Sequence, residues 1–327
     1  MYKALDIRNN TEIVIIDPKW LRAINQLREF DRQDFLVCQG CGQPVRLRAG
    51  DRRREHFAHK HLENCDYAEG SAILHNSRAV LYEWLVGKFG DKVTVEKKID
   101  GTDLFRPVDC WVEKDSVVFA YWIFDSTLKP KKRMDLQLIQ EKPRIHFNWI
   151  FTANLLHVEP DHPDRIALST NEREFIRDSK YDTVYAKGRL TTKGSLHYLD
   201  AENRKLSTFR SLSLYHGPQI YKGYFLSSDL KDVLVSPHQG EFVHRGEYEK
   251  LQEYQKQLKV NGELPCRKWG SSIFQREKDL HKTPVASFSP FVIGKCEFCG
   301  EMTSDWWSYD GKTGICKCKA CLKQGKS

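Results

Sequence analysis

The sequence lacks the features of membrane, secreted and disordered proteins. It contains no run of 18 apolar residues, so no membrane span is predicted. Residues 1–10 lack the apolar core of a signal peptide, which favours a cytoplasmic location. The chain has only 12 prolines, no internal repeat and no long low-complexity run. With 327 residues and 40% hydrophobic content, it is predicted to fold into two or three domains with a sizeable core.

The ten cysteines are the most informative residues. In a secreted protein they would indicate disulfides, whereas in a cytosolic protein clustered cysteines indicate metal. Most of them lie in two clusters with the spacing of metal ligands, which favours the second interpretation. The formal charge of +8 falls to about +5 when two zinc sites are filled, because the four-thiolate site carries −2 and the site with three thiolates and one histidine carries −1. This balance is compatible with nucleic acid but does not establish it.

The C-terminal cluster consists of two CxxC pairs, and it predicts a closed, structural zinc ribbon. Each pair places two thiolates on one tight turn, and the two turns together form a tetrahedron. Cys316 competes with Cys318 for the third position, but Cys318 repeats the spacing of the first pair and is preferred. The predicted ligands are Cys296, Cys299, Cys318 and Cys321.

The N-terminal cluster predicts a second zinc site on a hairpin at residues 44–57. Its predicted ligands are Cys38, Cys41, His59 and Cys65. His56 is the alternative histidine, because His56 and His59 fall on opposite faces of a continuous strand. Arginines surround this site and could hold phosphate, although charge runs are commonly solvated faces. The arginines predicted to contact DNA are Arg46, Arg48, Arg52, Arg53 and Arg54.

Hydrophobic periodicity predicts an α/β (α+β) fold with a mixed sheet. A helix is expected over 71–90, followed by strands at 93–99, 106–113, 117–124 and 145–152. Alternating residues at 184–190, 195–199 and 207–214 predict a small antiparallel sheet. The expected units are 1–70 with the zinc hairpin, 71–180 with the core, 181–260 with the small sheet and a helix, and 261–327 with the zinc ribbon.

A series of residues, in order and spacing, resembles the CoiA family, the competence-protein-like group associated with DNA uptake and processing. The resemblance covers about residues 36–152. It rests on Phe35, Cys38, Cys41, Gly50, His56 to His59, Cys65, Glu69, His75, Leu81, Glu96, Arg106, Asp109, Ser126, Arg133 and Trp149 to Phe151. No single one of these residues would be specific.

The resemblance implies a restriction-endonuclease-like core of the PD-(D/E)XK type, in which carboxylates on neighbouring strands hold Mg²⁺. It places Glu96 and Asp109 at two of these positions. The family's Glu-x-Gln-x-Ser stretch is altered, because Trp122 and Phe124 stand at the Glu and Gln positions. Asp125 could act in their place only if a bulge turned it inward, since strand side chains alternate.

Three functions are therefore weighed. The preferred one is a DNA-binding protein with a degenerate nuclease core and two structural zinc ions, acting in competence, mobile-element or phage-defence systems. The alternatives are an active Mg²⁺-dependent nuclease that uses Glu96, Asp109 and Asp125, and a protein-interaction scaffold that binds a partner through the C-terminal ribbon. A basic segment adds predicted DNA contacts at Lys129, Lys131 and Lys132. The oligomeric state is not determined by the sequence.

Overall fold

The computed structural model begins with a three-stranded antiparallel sheet and two short helices. It describes residues 1–50, 53–61, 65, 67, 70–102, 104–139, 144–179, 182, 194–217, 219–237, 239–260, 294–295, 302–303, 306–309 and 316–318. The first elements are β1 (Lys3–Asp6), β2 (Thr11–Val14), α1 (Pro18–Arg22), α2 (Ile24–Arg32) and β3 (Leu36–Val37). Asp17 caps α1 by accepting a hydrogen bond from the Lys19 amide, and β1 lies between β2 and β3.

The predicted hairpin is present as β4 (Val45–Gly50) and β5 (Arg53–His59). Leu47 pairs with Phe57, and both side chains are buried in the core. Because side chains alternate along a strand, Arg46 and Arg48 face the solvent on the other side of the hairpin. Strand β4 therefore has one buried face and one basic face, whereas His56 and Ala58 of β5, opposite the two arginines, are buried.

The predicted helix over 71–90 is confirmed as α3 (Ala72–Phe89). The Ser71 hydroxyl caps its first turn by accepting from the Leu74 amide at 3.0 Å. Gly90 follows the last turn with φ of +63°, a conformation that glycine adopts at little cost. The helix is apolar on most of its surface and lies against the sheet and the N-terminal segment.

The centre of the structure has the order helix, three antiparallel strands, helix and parallel strand. After α3 come β6 (Val93–Lys97), β7 (Val108–Lys114), β8 (Val117–Phe124), α4 (Pro130–Ile139) and β9 (Ile145–Thr152). Strands β6, β7 and β8 form an antiparallel meander, and β9 lies parallel to β8 after the α4 crossover. The bounds of β8 and β9 match the sequence prediction, because strands covered on both faces are mostly apolar, and β8 is apolar throughout.

The following strands extend the same sheet. They are β10 (Val158–Glu159), β11 (His162–Ala167), β12 (Leu196–Asp200), β13 (Lys205–His216) and β14 (Ile220–Asp229), with α5 (Thr170–Glu174) between β11 and β12. A separate small sheet was predicted here, and β12 to β14 are antiparallel as expected. However, β12 also pairs in parallel with β9, so all of them belong to one nine-stranded sheet. The strand predicted at 184–190 lies outside the described residues.

The last described elements are short strand pairs and one helix. They are β15 (Val233–Val235), β16 (Phe242–His244), α6 (Arg245–Val260), β17 (Gly294–Lys295), β18 (Met302–Thr303), β19 (Trp306–Tyr309) and β20 (Cys316–Cys318). Strands β15 and β16, β17 and β18, and β19 and β20 form antiparallel pairs.

Two hydrophobic cores lie on the two faces of the large sheet. Tyr121 and Ile123 of β8 point into the core that α3 and the N-terminal segment cover. Trp122 and Phe124 point into the second core, which includes residues of α4 and β9. No helix in the described part of the chain is both long and apolar enough to cross a membrane.

Candidate functional site

Four predicted ligands of the N-terminal cluster lie together. Cys38 follows β3, Cys41 lies in the next turn, His59 ends β5, and Cys65 lies beyond the hairpin. Their ligand atoms all lie within 4.8 Å of one another. The Sγ atoms of Cys38 and Cys65 are 3.6 Å apart, and Cys41 Sγ lies 3.4 Å from His59 Nε2. A tetrahedral zinc ion separates neighbouring ligand atoms by about 3.5–3.8 Å, so these four residues could hold one metal ion.

Local backbone geometry shapes this cluster. Gly42 has φ of +72° and donates its amide to the Cys38 carbonyl at 2.9 Å, which closes the turn. The Gly40 amide donates to Cys38 Sγ at 3.3 Å, and the Tyr67 amide donates to Cys65 Sγ at 3.4 Å. A Cβ atom on Gly40 would lie 2.5 Å from the Tyr67 ring, so any larger residue would displace that ring. Backbone amides therefore donate to both sulfur atoms, one from the turn and one from the segment beyond the hairpin.

His56 is not part of this cluster. Its Nδ1 lies 2.8 Å from the Arg54 carbonyl oxygen, and its ring centroid is 5.1 Å from that of His75. The register of the hairpin pairs His56 with Arg48 and His59 with Val45, so the two histidines occupy different places on β5. The histidine that joins the three cysteines is His59.

Two thiols of the cluster, those of Cys38 and Cys65, favour their protonated form when no metal is present. Burial raises the pKa of Cys38 to about 12, and burial also raises the pKa of Cys65 above its usual value. Because a metal binds thiolates, metal binding here must displace these protons. Four protein ligands would complete a tetrahedron and leave no open position for substrate, which is the pattern of a structural site.

The C-terminal four-cysteine site stays a prediction. Cys296, Cys299 and Cys321 lie outside the described residues. Cys318 lies opposite Trp306, and Cys316 lies opposite Tyr309, in the pairing of β20 with β19.

Glu96 and Asp109, the first two predicted catalytic residues, are joined by a buried arginine. Arg78 of α3 donates from Nε to Asp109 Oδ1 at 2.8 Å and forms an ion pair with Glu96 Oε1. Glu96 has φ of +50°, between the pairs Val95–Cys110 and Lys97–Val108 of the β6–β7 ladder. This irregularity accompanies the approach of Glu96 to Arg78.

A second arginine completes the contacts of Asp109. Arg106 Nη1 donates to Asp109 Oδ1 at 2.6 Å, and Arg106 Nη2 donates to the Ile123 carbonyl at 2.5 Å. The Ile123 amide donates to Asp109 Oδ2 at 2.6 Å. The guanidinium carbon of Arg106 also lies 4.1 Å from the ring centroid of Trp122. The large residue on the third strand therefore packs against an arginine.

The N-terminal residues cover the other side of the Glu96 carboxylate. Its Oε2 accepts from the amides of Tyr2 and Lys3 at 2.7 and 3.1 Å. Each of the four carboxylate oxygens of Glu96 and Asp109 thus has a protein donor. Burial opposes ionisation of Asp109, but Arg106 and Arg78 outweigh it and lower its pKa below the usual value. The result is a compact cluster of two carboxylates and two guanidinium groups.

Asp125, the third predicted catalytic residue, has different partners. Its Oδ2 accepts from the Ser71 hydroxyl at 2.6 Å, and its Oδ1 accepts from the Ser126 hydroxyl at 3.3 Å. Ser71 also caps α3, so Asp125 lies at the start of that helix. Trp122 and Phe124 point to the opposite core, as strand alternation predicted.

The sequence reasoning did not single out Arg78. A signal existed, because Arg78 interrupts an otherwise apolar helix face that includes Leu74, Leu81 and Leu85. A buried arginine requires an acidic partner, and two predicted acidic residues were available.

The predicted DNA contacts have different environments. Arg46 and Arg48 are exposed on β4, whereas Arg54 forms an ion pair with Glu83 of α3. Arg52 lies outside the described residues, as does the side chain of Arg53. Three further predicted contacts are exposed around the start of α4: Lys129, Lys131 and Lys132.

A second buried polar cluster was also not predicted, and it is centred on Arg210 of β13. Arg210 is fully buried and donates to Glu241 at 2.6 Å and to Glu247 of α6 at 2.7 Å. Nearby, His244 contacts the hydroxyls of Ser228 and Thr208 at 2.8 and 2.9 Å. Burial lowers the pKa of His244 to about 4. This cluster anchors β16 and the start of α6 to the sheet.

Comparison with known proteins adds one finding. Residues 21–68 match the family model described as competence protein CoiA, N-terminal domain. The N-terminal segment is CoiA-like. The matched residues include the four residues that could hold a metal ion, together with the hairpin that carries His59. Neither the search of curated proteins nor the search of solved structures finds a match.

Proposed function

We propose that this chain is a zinc-stabilised, CoiA-like protein that binds DNA without cleaving it. The observation that carries the proposal is that protein donors occupy the carboxylate pair of Glu96 and Asp109. Every oxygen of Glu96 and Asp109 accepts a hydrogen bond from the protein itself. The charge that a divalent cation would supply comes instead from Arg78 and Arg106.

Magnesium chemistry requires a different environment. Mg²⁺ takes oxygen ligands at about 2.0–2.1 Å in an octahedron and keeps several waters. Arg78 would have to leave its place between Glu96 and Asp109 to admit the ion, which would expose a buried ion pair. Trp122, where the resemblance expects a glutamate, offers an indole instead of an oxygen ligand. These features support a core that has lost its metal.

The basic face of the hairpin supports binding to phosphate. Arg46 and Arg48 are exposed on the same side of β4, and the chain has a formal charge of +8. A metal ion held by the N-terminal cluster would fix the turn from which this hairpin begins. Arginines on a rigid strand can contact successive phosphates without recognising a sequence.

A cleavage assay tests the loss of catalysis. Purified full-length protein is incubated with single-stranded, double-stranded and branched DNA in Mg²⁺ or Mn²⁺, and the products are separated on a gel. We expect intact DNA in every case. Cleavage that disappears in Asp109→Asn would overturn the proposal and indicate an active site assembled from the same carboxylates.

A binding assay tests the DNA contacts. Arg46→Gln combined with Arg48→Gln should weaken binding and reduce the slope of log K against log salt concentration by about 2, close to one unit per lost phosphate contact. Lys222→Gln combined with Lys231→Gln removes the same charge as a control. These lysines pair with Asp164 and Asp229 and should matter little. No DNA binding even at low salt would instead favour a protein-interaction scaffold.

Metal analysis tests the zinc sites. Elemental analysis of the purified chain should give two zinc ions per chain if both predicted sites are filled. Cys65→Ser should remove one of them, and Cys318→Ser should remove the other. An unchanged zinc content in Cys65→Ser would contradict the role of the N-terminal cluster.

A further inference from the structure

The second face of the large sheet carries a cluster of aromatic side chains around two tryptophans. Trp122 of β8 and Trp149 of β9 are directly paired in the parallel ladder, and their ring centroids are 6.4 Å apart. Phe105 lies edge-on to Trp122 with a centroid distance of 5.5 Å. Phe147 stacks on Trp149 with an interplanar angle of 12°. We call these four rings, with Arg177, the indole cluster.

The indole cluster contains hydrogen-bond donors that have no acceptor in the part of the chain that the structure describes. Trp122 Nε1, Trp149 Nε1 and Arg177 Nη2 are buried, and none has a hydrogen-bond partner within the described residues. Indole N–H groups normally find an acceptor when they are buried. By contrast, Trp84 in the other core donates from Nε1 to the Leu230 carbonyl at 2.6 Å. Three donors in one cluster without acceptors among the described residues indicate that an acceptor-rich group belongs there.

Cationic side chains surround the same rings. The guanidinium carbon of Arg106 lies 4.1 Å from the Trp122 centroid, that of Arg177 lies 5.7 Å from the Trp149 centroid, and Lys132 Nζ lies 4.4 Å from the Phe105 centroid. Arg177 is half-buried, and burial lowers its pKa to about 10, with only Asp178 acting against this effect. An anion beside Arg177 would offset the cost of its burial.

The cluster reaches the surface at Phe105, Phe147 and Arg177, which are all partly exposed. A ligand that suits it has a flat ring for stacking, acceptor atoms for the N–H donors and a negative charge for the arginine. An apolar ligand would leave the donors unpaired, and a paired base in a duplex cannot present its flat face. The chemistry that meets all three requirements is that of a nucleotide with an unpaired base.

We infer that the indole cluster binds an unpaired base and its phosphate, supplied by single-stranded nucleic acid or by a free nucleotide. The choice of ligand class rests on the proposed DNA-binding function, but the surface is different from the arginine face of the hairpin. Stacking on Phe147 or Phe105 would tolerate any base. Trp122 and Trp149 are 0% and 2% exposed, so their N–H groups would select for acceptor groups on the base edge only once the partly exposed rings of the cluster move aside.

The test compares matched tryptophan variants of the full-length protein. Affinity for one labelled oligonucleotide is measured by fluorescence polarisation, as a single strand and as a duplex, and affinity for deoxyadenosine monophosphate is measured by calorimetry. Trp149→Phe keeps an aromatic ring but removes the N–H donor. It should weaken single-strand and nucleotide binding by roughly threefold to tenfold, the range for one hydrogen bond, and leave duplex binding unchanged. Trp122→Phe and Arg177→Gln should act in the same direction.

Trp84→Phe is the control, because it removes an indole N–H that already has an acceptor in the protein. It should lower the stability of the fold and leave nucleotide binding unchanged. Equal nucleotide affinity in the wild type, Trp149→Phe and Trp122→Phe would overturn the inference. A crystal structure with nucleotide present but only water on the two indoles would also overturn it. Absence of duplex binding alone would count against the proposed DNA-binding function and not against this inference, because the nucleotide titration does not involve the hairpin.

Discussion

Replacing Arg78 with methionine tests the interpretation of the carboxylate pair most directly. The change keeps a long, unbranched side chain but removes the cation between Glu96 and Asp109. Both carboxylates are buried, and only Arg106 remains to balance them. One carboxyl group must then remain as an uncompensated buried charge or take up a proton.

The cost of taking up the proton sets the expected magnitude. Protonating a carboxyl group with an ordinary pKa of about 4 costs about 5 kcal/mol at about pH 7.5 and about 2 kcal/mol at about pH 5.5. The upper figure agrees with the roughly 3–5 kcal/mol measured when buried ion pairs are broken. The free energy of unfolding of Arg78→Met should therefore be lower than that of the wild type by several kcal/mol at the higher pH and by much less at the lower pH.

The sign of this pH dependence follows from the different pKa values of the buried carboxyl groups in the wild type and in Arg78→Met. In the wild type, the two arginines lower the pKa of Asp109 although burial opposes this. The ionised Asp109 therefore stabilises the fold above the unfolded pKa of about 3.9, and this stabilisation is lost as the pH falls through the folded pKa. In the variant a carboxyl group with a raised pKa stabilises the fold at low pH and loses that effect as pH rises. The difference between the proteins therefore widens with pH.

Urea unfolding followed by tryptophan fluorescence at both pH values measures this difference. Arg204→Met is the matched control, because Arg204 forms a 2.9 Å ion pair with Glu83 at the surface and should contribute less than about 1 kcal/mol. Mg²⁺ at about ten times a millimolar dissociation constant should restore about 1.4 kcal/mol to Arg78→Met and nothing to the wild type. A loss below about 1 kcal/mol, or an equal loss at both pH values, would refute the reasoning.

Three further changes have defined outcomes. His59→Ala should lose one metal ion per chain in elemental analysis, whereas His56→Ala should keep it, because only His59 lies with the three cysteines. Burial lowers the pKa of His244 to about 4, so the unfolded chain binds the proton more tightly and the wild type loses stability as pH falls from about 6.5 to about 4. His244→Gln should remove up to about 3 kcal/mol of that dependence in pH-resolved thermal unfolding, and an unchanged slope would contradict this. Arg210→Met should cost about 3–5 kcal/mol in urea unfolding by leaving two buried glutamates without their cation, and a cost similar to that of Arg204→Met would contradict it.

The local sequence pattern was sufficient to predict the secondary-structure elements that surround the site. The mostly apolar sequences of β8 and β9 predicted the bounds of these strands. The periodic apolar residues of α3, together with Gly90, predicted the helix. The three cysteines of the N-terminal cluster follow from ligand spacing, and the alternation of side chains along a strand indicated that only one of His56 and His59 would join them, without deciding which. In these cases neighbours in sequence determine the geometry.

Contacts between residues that are distant in sequence could not be predicted in the same way. Arg78 meets Glu96 and Asp109 only because α3 packs across the end of two strands, and Tyr2 reaches Glu96 from 94 positions away in the chain. The parallel pairing of β12 with β9 likewise depends on how the chain returns after β11. No local propensity encodes such pairings, because each depends on the whole topology.

The pairing of β12 with β9 has a consequence for any shortened form of this protein. A fragment ending at residue 180 would lack β12 and leave one side of β9 without its backbone partner. β12 pairs with Ile150, Phe151 and Thr152, so the fragment would uncover this end of the uncharged strand β9, an edge of the kind that recruits other chains. Such a fragment would tend to aggregate through that edge, so β12 protects the solubility of the preceding half of the sheet.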